Sequence, residues 1–261
     1  MTYSIHPIIF AGAGPGDPEL MTIKSMKAIE HADLVVYAGS LVPEAVLCWK
    51  GTHTKTISSA GMALEEIIAT MVKEVRAGKK VVRLHTGDPA LYGAIFEQIR
   101  ELQALDIPYS VIPGVTAAFA ASAAMGMEYT LPEVTQTLIL TRMSGRTPVP
   151  EAEALEKLAA HQSSMAIYLS IGLAEKVESI LAANYGKDSL CAIAYKVSHP
   201  EEQLYYTPIK ALAATCKEKK ITRHALIIVG KVVEACQGNM ALIKSKLYDA
   251  SFTHGYRQGK E

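Results

Sequence analysis

The sequence predicts an α/β protein of two halves, residues 1–114 and 115–261, built on mixed, partly parallel sheets. Segments of strand and helix character alternate along the chain, the grammar of α/β sheets. Three tight turns rich in glycine and proline each follow a buried, apolar strand. The length of 261 residues suits one large domain or two small ones.

In the first half, "PIIFAG", "ADLVVYA", "KKVVRLHT" and "YSVIP" read as buried strands, rich in β-branched residues and bounded by turn residues. "LEEIIATMVKEVRAG" has a helical period and ends at Gly78, which suits the left-handed position after a helix. "GAIFEQIRELQAL" reads the same way. The Ala-rich run "VTAAFAASAAMGM", Val115 to Met127, is too short to span a bilayer and reads as a buried helix. "MEYTLPEVTQ", in which Pro132 breaks any regular element, is the expected linker between the two series. The second half repeats the pattern with "TQTLILT", "PEAEALEKLAAH", "SSMAIYLS" and "LAEKVESILAANYG". After them come "LCAIAYKV", "EEQLYYT", "PIKALAATCKEK" and "HALIIVGKVV". In "TPIKAL", Thr207 is expected to cap a helix that starts at Pro208.

Charge and composition narrow the function classes. Lys plus Arg equals Asp plus Glu at 26 each, so no net field draws in nucleic acid. Local basic clusters must hold any anionic ligand. The N-terminus has no basic region ahead of an apolar one, which argues against a signal peptide. Cys48, Cys191, Cys216 and Cys236 include no C-x-x-C pair, and the eight histidines form no H-E-x-x-H. A protein metal site and a disulfide framework are both disfavoured, and a cytoplasmic location fits.

"GAGPGDPELMT", Gly12 to Thr22, looks like a dinucleotide loop and departs from one in its chemistry. The sixth position of G-x-G-x-x-G is Asp17, a negative charge where a pyrophosphate would approach. The second strand ends in Tyr37-Ala38-Gly39, with no carboxylate for a ribose hydroxyl. Pro15 and Pro18 remove two N–H donors. The plain alternative is a strand-to-helix turn in which Asp17 caps and Pro18 opens the next helix. However, "HTGDPALYG" repeats the Gly-Asp-Pro triplet after a second strand, and "IPGVTAAFA" adds a Pro-Gly turn after a third. In a parallel sheet these turns gather at one carboxyl edge, where open α/β sheets bind ligands. Carbonyls, apolar contacts and the Thr116 hydroxyl there suit a small cation better than a phosphate.

With these motifs in order and spacing, the chain resembles the tetrapyrrole (corrin/porphyrin) methylase family. "AIYLS", "AYKVSHPEEQ" and "ALIIVGKVV" extend the match through the second half. The resemblance implies two α/β domains with a cofactor cleft between them, S-adenosylmethionine as cofactor, a tetrapyrrole substrate and a homodimer. It places cofactor contacts on Pro15, on Gly87, Asp88, Pro89 and Tyr92, and on Thr116 and Ala117. Leu169, Ala194 and Ala225 follow from the second half. Many members carry Met in place of Leu169 and Pro in place of His224. "VYAGSLVPEAVL", "LTRMSGRTPVPE" and "SKLYDASFTHGYRQG" resemble members that methylate carbon 11 of precorrin-4 or cobalt-precorrin-4.

The macrocycle's acetate and propionate groups call for planar, bidentate donors, so Arg142 and Arg146 are the expected substrate clamps. Their plain alternative is two solvated surface arginines. Tyr37 and Ser40 are expected to line the substrate trough. His85 is expected to be a hydrogen-bonded turn residue, and no side chain is singled out as a general base. The rival readings are a tetrapyrrole methylase acting at a different ring carbon, a nicotinamide oxidoreductase, a ligand-sensing module on the same fold, and a member of the family that modifies protein or RNA.

Overall fold

Ile8–Gly12 forms β1, and its alternate residues face opposite ways into two apolar layers. The structure, a computed structural model, describes residues 6–39, 42–240 and 245–259. It divides the chain into two compact units, residues 1–120 with 197–201, and residues 121–196 with 202–261.

Unit 1 continues with α1 (Ile23–Glu30), β2 (Leu34–Tyr37), β3 (Lys55–Ser58), α2 (Leu64–Arg76), β4 (Val81–His85), α3 (Ile95–Ala104) and β5 (Tyr109–Ile112). Its sheet is parallel throughout, in the order β3-β2-β4-β1-β5. Ile8, Phe10, Leu34, Val36 and Val81 pack on Ile68, Met71, Val75 and Leu102 of α2 and α3. The intervening residues Ala11, Val35, Val82 and Leu84 face Ile29 of α1 and Val46 on the other side. Burial on both faces is why these strands are continuous apolar runs rather than alternating ones. Gly78 closes α2 as expected: at φ +79° its N–H reaches the Val75 carbonyl, and Lys79 N–H reaches Glu74.

The Ala-rich run forms α4 (Ala117–Met125), which spans the division between the units. Ala118, Ala121 and Met125 are buried, but Phe119 is 52% exposed, so the helix is covered on one side only.

Unit 2 contains β6 (Leu138–Arg142), α5 (Leu155–Ala159), β7 (Ser164–Tyr168), α6 (Ala174–Tyr185), β8 (Leu190–Tyr195), β9 (Gln203–Pro208), α7 (Leu212–Glu218), β10 (Ala225–Val229) and α8 (Lys231–Cys236). The order is β6-β7-β10-β8-β9, with β6 and β7 parallel and the remaining pairs antiparallel. Met165, Ile167, Ile193 and Ile227 pack on Val177, Leu181 and Leu212 of the covering helices.

Three local expectations are corrected. Thr207 is a strand residue of β9 whose hydroxyl accepts from Thr215, and Pro208 stands at the cap position without a side-chain bond. The Thr-Pro pair extends a strand because the β8 partner already claims this backbone. "HALIIVGKVV" is not one strand: Gly230, at φ +127°, ends β10, and "KVV" begins α8. His85 is the last residue of β4 rather than part of the turn, and its Nε2 is buried with no hydrogen-bond partner among the described residues.

Candidate functional site

β4, β1 and β5 are neighbours in the sheet, so the loops after them, 13–17, 86–94 and 113–116, emerge together at its carboxyl edge. They are in backbone contact. Gly87 N–H donates to the Gly14 carbonyl at 2.8 Å, and Gly14 N–H donates back to Gly87 at 3.3 Å. A Cβ on Gly12 would stand 2.6 Å from both Gly114 Cα and the Gly87 oxygen. A Cβ on Gly114 would collide with that same oxygen. Side chains at Gly12 or Gly114 would therefore wedge the three loops apart.

Both Gly-Asp-Pro triplets use the aspartate alike. Asp17 Oδ1 accepts from Glu19 N–H and Asp88 Oδ1 accepts from Ala90 N–H, each at 2.8 Å. These short bonds set the turn that the following proline continues. The second triplet does more, because Asp88 Oδ2 also accepts from Gly114 N–H at 2.9 Å and so pins the second loop to the third. Pro15 and Gly16 are buried. Their cover includes the segment 197–201, which enters unit 1 from the second half of the sequence. Asp17 N–H donates to Ser198 Oγ at 3.0 Å, and a Cβ on Gly16 would meet the His199 ring, 2.6 Å from Nε2. Ser198 and His199 lie within the motif "AYKVSHPEEQ", where nothing local in the sequence says which loop the segment will meet.

Tyr92 and Ala94 hold left-handed backbones, φ +57° and +49°, at the end of the 86–94 loop. Tyr92 is 43% exposed. Pro89 is buried and Thr116 is a buried hydroxyl residue at the start of α4. Tyr37, half-buried, ends β2 beside Ser58 and Leu84. Ser40 lies outside the described residues.

His85 stacks on Phe10, with ring centroids 5.9 Å apart. Burial first, and then the nearby Arg83 cation, lower its pKa from the ordinary 6.5 to about 3. The imidazole is therefore neutral when folded and takes up its proton only on unfolding as the solution is acidified. That contribution to stability is complete above about pH 6.5 and is lost as pH falls toward 3. The urea midpoint should drop below pH 6.5 by about 1.4 kcal/mol of stability per pH unit from this group. Substituting His85→Leu should flatten that part of the curve; an unchanged slope would assign the acid sensitivity elsewhere.

In unit 2, Leu169 follows β7, Lys196 follows β8 and His224 precedes β10, and the strand pairing brings all three to one sheet edge. All are left-handed non-glycine residues, at φ +51°, +45° and +56°. Such backbone costs free energy, and three of the ten left-handed non-glycine residues among those described lie here. Lys196 N–H donates to the His224 carbonyl at 2.8 Å. Leu169 is 65% exposed, whereas Ala194 and Ala225 are buried strand residues. Arg142 ends β6, and its guanidinium donates to the carbonyls of Thr147 (3.0 Å) and Pro148 (2.7 Å), bracing the loop that carries the exposed Arg146. A guanidinium has five N–H donors, so two such bonds leave capacity for a carboxylate. A cavity of about 90 Å³ at the opposite edge of this sheet, lined by Tyr185, Ser189, Lys231 and Glu234, is too small for a nucleoside.

The three loops of unit 1 contain no Lys or Arg. Their backbone N–H groups at Gly14, Gly87, Ala90 and Gly114 are already bonded within the protein. That donor set does not fit a phosphate. It fits a sulfonium cofactor, whose positive charge needs carbonyls and apolar walls rather than cations. Among the described residues, no group of three or more His, Cys, Asp or Glu could hold a metal ion, and no helix is long and apolar enough to cross a membrane.

The family model of tetrapyrrole (corrin/porphyrin) methylases matches residues 7–213. A cobalt-precorrin-4 C(11)-methyltransferase of Methanocaldococcus jannaschii is 49% identical over 96% of this chain and 96% of its own length. A precorrin-4 C(11)-methyltransferase of Pseudomonas aeruginosa is 42% identical over 97% of this chain and 99% of its own. The X-ray structure of a cobalamin biosynthetic enzyme, cobalt precorrin-4 methyltransferase, superposes with a TM-score of 0.84 at 42% identity, covering 87% of this chain and 95% of that one. With most of its length matched by the family model and close relatives aligned nearly end to end, the chain belongs to the tetrapyrrole (corrin/porphyrin) methylases.

Proposed function

We propose that this protein transfers the methyl group of S-adenosylmethionine to carbon 11 of precorrin-4 or cobalt-precorrin-4 in cobalamin synthesis. The observation that carries this reading is the convergence of Gly14, Gly87–Asp88 and Gly114 in one cation-compatible edge without basic side chains. The family resemblance assigns cofactor contacts to Pro15, Gly87, Asp88, Pro89, Tyr92, Thr116 and Ala117 in unit 1, and the same resemblance names Leu169, Ala194 and Ala225. When bound, the cofactor supplies an electrophilic methyl group on a sulfonium.

The chain's own part is alignment and exclusion of water. In-line displacement gains most from holding its reactants in register, and the mutually bonded loops give a rigid wall for that purpose. The reduced tetrapyrrole carries an enamine-like carbon, so no protein base is assigned. Tyr37 is assigned to the macrocycle and Arg142 and Arg146 to its carboxylates, and the assignment extends to Ser40, outside the described residues. The enzyme works as a cytoplasmic homodimer in this reading.

Incubation with labelled S-adenosylmethionine and precorrin-4, with and without cobalt, followed by locating the new methyl, tests the assignment. Methylation at another carbon would refute the C(11) specificity and leave the family intact. Stabilisation by NADH but not by S-adenosylhomocysteine would revive the oxidoreductase reading. Replacing Arg142 and Arg146 together by Ala should raise the tetrapyrrole KM about tenfold or more while cofactor affinity holds, as expected for lost charge-assisted bonds. An unchanged KM would remove the clamp.

A further inference from the structure

Arg83 is 4% exposed in the middle of β4, on the sheet face covered by α2 and α3. Its hydrogen-bonding partners are all neutral: Gln98 Oε1, Ser59 Oγ and the Val36 carbonyl. Burial pulls its pKa from the ordinary value down to about 10, which leaves it a cation in neutral solution. A buried cation with neutral partners only is a costly way to fill space between a sheet and two helices, where an apolar side chain would pack without desolvation.

The bonds run outward in two relays. Arg83 Nε donates to Gln98 Oε1 at 3.1 Å, and Gln98 Nε2 donates to the Ala94 carbonyl at 3.1 Å. Ala94 is left-handed and closes the 86–94 loop. On the other side, Arg83 Nη1 donates to Ser59 Oγ at 2.8 Å, and Ser59 Oγ donates to the Tyr37 carbonyl at 3.1 Å. Tyr37 opens the segment assigned to the tetrapyrrole path. One planar guanidinium thus feeds two hydrogen-bond chains, each strengthened by its charge, one ending on the Ala94 carbonyl at the close of the 86–94 loop and one on the Tyr37 carbonyl at the end of β2.

We propose that Arg83 is a positioning residue that sets the cofactor loop 86–94 through Gln98 and the tetrapyrrole-facing segment at Tyr37 through Ser59. This rests on the assignment of those two segments in the proposed function. It requires the fork of arginine, since a lysine ammonium lacks the planar spread that reaches both partners.

The test uses the full chain, with S-adenosylhomocysteine affinity by calorimetry and tetrapyrrole KM and kcat by turnover, at temperatures well below each variant's melting point. Ser59→Ala should raise the tetrapyrrole KM about tenfold and leave S-adenosylhomocysteine affinity within about twofold, the scale of positional coupling. Gln98→Leu should do the reverse. Arg83→Met should do both, and Arg83→Lys should recover at most one. If Ser59→Ala and Gln98→Leu weaken both ligands equally, or neither, the tie is overturned and Arg83 is a packing residue. Tyr92→Ala separates this from the parent reading. Weakened S-adenosylhomocysteine affinity in Tyr92→Ala with no change in Gln98→Leu overturns the tie alone. Unchanged affinity in Tyr92→Ala overturns the cofactor loop and the tie together.

Discussion

Gly114→Ala should abolish measurable S-adenosylhomocysteine binding and lower stability by about 3 kcal/mol, the upper part of the range for forced overpacking. The reason is geometric. The new Cβ would collide with the Gly87 carbonyl oxygen and stand 2.9 Å from Gly12 Cα. Both neighbours are backbone, Gly87 in the second loop and Gly12 at the end of β1, and the Gly14–Gly87 bridge ties the chain that follows Gly12 to the second loop. No side chain can rotate away, so the third loop must lift off the first two. Gly61→Ala is the matched control, because a Cβ there meets nothing within 4 Å. It should shift the urea midpoint little in either direction. Equal loss in the two variants would mean that loop packing at Gly114 is not what holds the site.

Asp88→Ala should cost about 2 kcal/mol of stability and at least tenfold in cofactor affinity, since it strips acceptors from two backbone donors. Ala90 N–H and the part-buried Gly114 N–H both lose their partner. Asp88→Asn keeps one oxygen, so it can serve the Asx turn or the pin to Gly114 but not both at full strength. Its affinity should fall between wild type and Asp88→Ala. If Asp88→Asn matches wild type in calorimetry, the carboxylate's second oxygen contributes nothing to loop registry. Asp17 gives the comparison within the molecule, because among the described residues its carboxylate closes only the local turn at Glu19. Asp17→Ala should therefore be the milder of the two.

The parts of this architecture that were legible in the sequence are those that local chemistry determines. Buried strands announced themselves as β-branched runs because both sheet faces are covered. The Gly-Asp-Pro repeat announced a shared turn because an Asx bond and a proline need only three adjacent residues. β3 gave little signal, since "KTIS" is an edge strand with exposed residues and no apolar run. The "KVV" that continues "HALIIVG" carries strand propensity, yet it enters a helix once Gly230 has turned the chain. Thr207 shows the same override: its Thr-Pro signature favours a cap, and six paired positions with β8 outweigh it.

The long-range part of the site was not legible. Ser198 meets Asp17 across 181 positions of sequence. Arg83 meets Ser59 across 24 and Gln98 across 15. Each of these is a polar residue whose partner is chosen by the fold, and no periodicity encodes that choice. The arginines of "LTRMSGRTPVPE" are intermediate: their loop was readable, but the use of Arg142 as a brace for Thr147 and Pro148 was not.

The short excursion of residues 197–201 has a consequence for how this protein can be cut. Unit 1 is not a contiguous piece of sequence. The shortest stretch that contains all of it runs to residue 201 and carries most of unit 2 along. No single break in the chain can therefore release the first unit whole, because any break before 197 strips Ser198 from Asp17 and the His199 ring from Gly16. A chimaera joined at one point before residue 197 should therefore lose the contacts of Ser198 and His199 with the first loop.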